Sequence, residues 1–138
     1  MAINGNPILR GILWALCGYH VGLGVLGIIL PTDLLLKIGT SAFHFSLSET
    51  PQIGWVARPF ATYLLAFGVF MGVAARDPVK FRPIIYGGIL LIGIRVIQRI
   101  IFMMSGFETF GINPMRSWGM LAFSTLMGLG LLISVRKE

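Results

Sequence analysis

Arg95 and Arg99 stand four residues apart inside a long apolar run, and Gln98 lies beside them. That spacing puts both guanidinium groups on one face of a helix. Counting about 1.5 Å of rise per residue places Arg95 close to the bilayer centre and Arg99 about one turn beyond it. A central arginine costs about 2.5–3.5 kcal/mol on insertion scales, so it must find a partner. Asp33, Glu49 and Glu108 fall towards the same membrane face. An ion pair with one of them, or snorkelling of Arg99 to the interface, is the simplest arrangement. The alternative is an anionic or carbonyl-bearing ligand between helices, such as a lipid headgroup or a quinone.

His20 lies among Gly18, Gly22 and Gly24, whose missing side chains leave room for a macrocycle. Its imidazole is a candidate ligand for haem iron or chlorophyll magnesium, although a hydrogen-bonded bundle histidine is the commoner role. A bis-histidine haem needs a second ligand at matching depth, and His44 falls in a loop. His20, Arg95 and Arg99 are therefore the candidate cofactor contacts. The candidate ligands are bound lipid, quinone, and (bacterio)chlorophyll or carotenoid pigment.

Absences narrow the chemistry further. No Asp or Glu lies inside any of the four apolar runs, where proton-coupled transport generally needs a carboxylate. Hydrolytic Ser/His/acid sets and clustered metal ligands are missing from the sequence, so neither catalysis nor a metal centre is expected. A small solute transporter remains a distant alternative. Cys17 is the only cysteine, which rules out an internal disulfide or a CxxC pair.

The elements that position these residues follow from composition. Hydrophobic residues make up 56% of the 138 and charged residues only 12%, about half the charge of a typical soluble domain. A spanning helix needs about 20 apolar residues, and the runs 7–30, 52–75, 79–104 and 114–135 meet that need. The prediction is an all-α bundle of four transmembrane helices forming one domain, with no separate soluble part. The first run lacks a small-residue cleavage signal and reads as a retained span.

Four dipeptides punctuate the helix starts: Asn6-Pro7, Thr50-Pro51, Asp77-Pro78 and Asn113-Pro114. A capping side chain accepts a free first-turn N–H, and the following proline has none to leave unpaired. Pro31 closes the first run, and 32–38 predicts a short interfacial turn ending at Gly39. Alternation from Ser41 to Ser48 predicts an extended segment. Pro59 and Pro83 predict bends within the second and third helices.

Small residues at helical spacing predict close packing: Gly18 with Gly22, Gly68 with Gly72, and Ser124 with Gly128. The glycine-rich stretch is no nucleotide fingerprint, because it follows no strand. The net charge of +6 comes from scattered bases near helix ends, which points to anionic lipid and not to nucleic acid. Arg10, Arg76, Lys80, Arg82, Arg136 and Lys137 share the face of both termini, against Lys37, Arg58 and Arg116 on the other. The positive-inside rule then puts both termini in the cytoplasm.

Residues 10–36 and 58–99 resemble the DoxX-like group of small four-helix membrane proteins. The likeness lies in a Gly/Leu-rich first helix ending in Pro31-Thr32-Asp33, in Ala-Ala-Arg-Asp-Pro at 74–78, and in a third helix bearing Arg95 and Arg99. It implies the four-helix fold; some members of the group are associated with quinone-linked sulfur oxidation. The absence of further cysteines argues against carrying thiol chemistry over. The expected role is a non-catalytic accessory subunit of a larger bacterial inner-membrane complex, redox or photosynthetic, contacting other integral membrane subunits and lipid. A quinone- or pigment-binding component of an oxidoreductase is the alternative.

Overall fold

The computed structural model describes residues 6–43, 50–110 and 114–137. It is all-helical over these residues: α1 (Pro7–Ile29), α2 (Thr32–Phe43), α3 (Pro51–Arg76), α4 (Arg82–Phe110) and α5 (Pro114–Arg136). Four segments are long and apolar enough to cross a membrane: Pro7–Ile29, Gln52–Arg76, Arg82–Met103 and Ser117–Arg136. That is the pattern of a multi-pass integral membrane protein.

The helix starts are built locally. Asn6 Oδ1 accepts the Ile8 N–H at 3.0 Å, and Pro7 occupies the first turn of α1. Removing this cap by Asn6→Ala is expected to lower stability by about 1 kcal/mol, read by thermal unfolding in detergent; an unchanged midpoint would show the cap to be idle. Thr50 precedes α3 in extended conformation, but its hydroxyl makes no capping bond, and Pro51 alone marks the start. Asn113 lies outside the described residues.

Asp77 closes α3 as its C-cap, and its carboxylate accepts the Lys80 N–H at 3.0 Å. The chain then makes one turn, with the Phe81 N–H donating to the Asp77 carbonyl, before α4 begins at Arg82.

This start corrects two expectations. α4 begins three residues later than the sequence pattern suggests. Pro83 falls in its first turn, where no N–H is required, and so removes no bond from the helix interior. Pro59, by contrast, does sit inside α3.

The segment after Pro31 is also corrected. It is a 12-residue helix that runs through Gly39 to Phe43, not a turn closed at Gly39. Asp33 in its first turn complements the positive end of the helix dipole, and the Leu35 N–H bonds to the Pro31 carbonyl. Ser41 to Phe43, predicted as extended, are thus helical; residues 44–49 lie outside the described set.

Helix contacts are antiparallel and uneven. α1 and α3 form the closest pair, α4 and α5 a second, and the two pairs touch more lightly through α1–α5 and α3–α4. The buried cluster gathers at one end. Leu9 and Leu13 come from the start of α1, Met71 and Ala75 from the end of α3, Ile85 from the start of α4, and Leu131 and Val135 from the end of α5. Of the four spans α4 is the least covered: a smaller share of it is buried than of any other.

Candidate intramembrane site

The close pair sets the frame. A Cβ at Gly24 would stand 2.6 Å from the Leu65 backbone nitrogen, and one at Gly68 would stand 2.7 Å from the Val21 nitrogen. Gly27 faces Ala61 and Gly72 faces the Cys17 sulfur in the same antiparallel register. Gly18 and Gly22 turn elsewhere: an added Cβ there meets nothing within 4 Å. In α5 a Cβ at Gly128 would meet Ile92 of α4 at 3.1 Å, while the Ser124 hydroxyl donates to the Met120 carbonyl of its own helix at 2.8 Å.

The buried cluster that joins the two pairs lies at the termini end, and the candidate site residues lie past the middle of their helices, away from it. α1 carries Tyr19, which is exposed, and His20, which is half-buried, a residue or two past the middle of its span. Nδ1 of His20 lies 2.9 Å from the Leu16 carbonyl, an acceptor, so Nδ1 carries the proton and Nε2 is left with its lone pair. The ring stands edge-on to Tyr19, with centroids 5.0 Å apart, and to Phe67 of α3 at 4.7 Å. No second histidine approaches among the described residues, and no group of three metal-ligating side chains occurs among them.

α4 supplies the charges. The Arg95 guanidinium lies 5.9 Å from the Phe60 ring centre on α3. Arg99 Nη2 lies 3.8 Å from the Met120 sulfur on α5. Measured along the span Arg82–Met103, Arg95 is about 4 Å past the midpoint and Arg99 about 10 Å past it. Both are inside a hydrocarbon half-thickness of about 15 Å. The charge of Arg95 is felt at His20 and at Arg99, and the Tyr19 phenol lies within electrostatic range of Arg99.

His20, Arg95 and Arg99 thus lie within electrostatic reach of one another, with Tyr19, Phe60, Phe67 and Met120 beside them, and Arg95 and Phe60 are exposed. Their partners are ring faces, a thioether and each other. Asp33, offered above as a counter-ion, is exposed at the start of α2. Among the described residues neither arginine has an ion pair with a carboxylate; Glu49 and the Glu108 side chain lie outside the described set. The aromatic lining carried no signal in the sequence, since Phe60 and Phe67 become neighbours of α4 and α1 only through the pairing of helices.

Sequence reasoning also missed a second use of arginine. Arg10 Nε donates to the Ala75 carbonyl at the end of α3 at 3.1 Å, and Arg82 Nη2 to the Val135 carbonyl at the end of α5 at 3.4 Å. Each spans its own helix pair and satisfies a carbonyl that the helix end leaves free.

On the far side, Thr32, Gly54, Trp55, Arg58 and Pro59 line an open cavity of about 450 Å³ between α2 and α3. No family model, curated protein or solved structure matches this chain.

Proposed function

We propose that this chain is a non-catalytic accessory subunit of a larger membrane assembly, docked to it through α4. The observation that supports the reading is the second half of that helix. Ile94, Ile97 and Ile101 are exposed there together with Gln98, a carboxamide about 8 Å past the midpoint of the span and still within the hydrocarbon half-thickness. Lipid tails serve the aliphatic side chains well. They offer nothing to an amide, whose unsatisfied groups are costly in hydrocarbon and which commonly acts as a bond between packed membrane helices. A neighbouring integral membrane protein satisfies both demands.

In this reading the fold is of the DoxX-like type and the membrane is the bacterial inner membrane. Both termini face the cytoplasm, on the six-to-three balance of bases. The host class is a redox or photosynthetic complex, in which small helical subunits sit beside cofactor-bearing cores.

A photoreactive phenylalanine analogue placed at Gln98 tests the reading in intact membranes. The expected result is a crosslink to a different integral membrane protein, and co-migration with that protein on a native gel after mild extraction. A lone 15.1 kDa species, or crosslinks only to a second copy of this chain, would overturn the assignment.

A further inference from the structure

The two arginines of α4 pose a different problem from its aliphatic residues. Arg95 and Arg99 carry two positive charges within the hydrocarbon depth, and among the described residues Phe60, Met120 and the His20–Tyr19 edge are their neighbours. Like charges four residues apart on a helix repel, and hydrocarbon screens them poorly. A ring face and a thioether offset little of this, because neither brings a negative charge.

A neutral carbonyl compound would accept hydrogen bonds but leave both charges uncompensated. An oxyanion does both, since the guanidinium fork matches carboxylate and phosphate geometry. Depth limits the source. A water-soluble anion would lose its hydration to reach a site within the hydrocarbon layer, whereas an acidic head on an acyl tail arrives from the bilayer itself.

We propose that Arg95 and Arg99 on α4 jointly hold the oxyanion head of an acidic amphiphile, a carboxylate or a phosphate, beside Phe60 of α3 and Met120 of α5. The proposal does not rest on the subunit reading, which is argued from the exposed aliphatic residues of α4 and from Gln98.

Purified full-length protein in neutral detergent is titrated with cis-parinarate, a fluorescent fatty acid, and with its methyl ester, by energy transfer from the protein's tryptophans. The acid is expected to bind saturably and at least about tenfold more tightly than the ester, the difference of one charge-assisted contact. In the Arg95→Gln/Arg99→Gln double variant that preference is lost; in Arg95→Lys/Arg99→Lys, which keeps both charges, part of it returns. Displacement by oleate identifies a carboxylate head as the better fit, and displacement by a short-chain phosphatidylglycerol a phosphate head. Equal binding of acid and ester by the unmodified protein would overturn the proposal without recourse to any variant. So would a stoichiometric quinone in the purified protein with no acidic lipid beside it.

Discussion

Gly24→Ala and Gly68→Ala each lower the stability of the detergent-solubilised protein by about 1–3 kcal/mol, whereas Gly18→Ala and Gly22→Ala do not lower it. The added methyl at Gly24 would stand 2.6 to 2.8 Å from the Leu65 nitrogen, Cβ and Cα, and the one at Gly68 would press on the Val21 nitrogen at 2.7 Å. Flexible side-chain ends can move aside. Helix backbone cannot, so α1 and α3 must separate along their length, and the loss falls on the closest helix pair in the bundle.

At Gly18 and Gly22 the new methyl meets nothing, and alanine is favoured over glycine in a helix by about 1 kcal/mol. Both Gly24 and Gly68 act on one interface, so the double variant should cost less than the sum of the two. Thermal or chemical unfolding of the four single variants and the double variant is the measurement. Equal destabilisation by Gly18→Ala and Gly24→Ala would sink the assignment of the packing face.

The same residues show what was legible beforehand. Length and hydropathy were enough for four spans, because hydrocarbon leaves few alternatives for an apolar run of this length. The punctuation at Asn6-Pro7 was readable because a cap is a local device. Which glycine stripe packs was not, because α1 carries two. Gly18 and Gly22 form one at i, i+4, Gly24 and Gly27 belong to another at i, i+3, and both spacings put small residues on one helix face. Only the complementary row on α3, Ala61, Leu65, Gly68 and Gly72, chooses between them, and that choice needs the antiparallel register.

The depth of Arg95 and Arg99 likewise followed from counting. Their aromatic and thioether surroundings did not, since these come from helices 20 to 80 residues away in the chain, by about that separation in sequence. α2 escaped for a third reason: a helix of 12 residues presents too few turns for its period to stand out against a mid-segment glycine.

Arg10→Met and Arg82→Met address the bases at the termini end, which charge counting treats as one population. Two of them do structural work. Arg10 ties α1 to the last turn of α3 through the Ala75 carbonyl, and Arg82 ties α4 to the last turn of α5 through the Val135 carbonyl. Ala75 and Val135 are themselves fully buried, so no water replaces a lost donor. Methionine keeps an apolar stem in place and removes only the guanidinium.

The expected loss is about 1–3 kcal/mol at Arg10, for a charged hydrogen bond withdrawn from a buried carbonyl near a helix C-terminus. The loss at Arg82 should be smaller, because its bond is longer at 3.4 Å and its Nε is buried without a partner. The two ties belong to different helix pairs, so the double variant should lose nearly the sum. Neutralising the exposed Arg76, Lys80, Arg136 and Lys137 to glutamine should leave the melting transition unchanged. It should instead weaken the preferred orientation, read by labelling a terminal cysteine from either side of the membrane. If Arg10→Met melted like the unmodified protein while the glutamine set unfolded early, the division between tying and orienting arginines would be reversed.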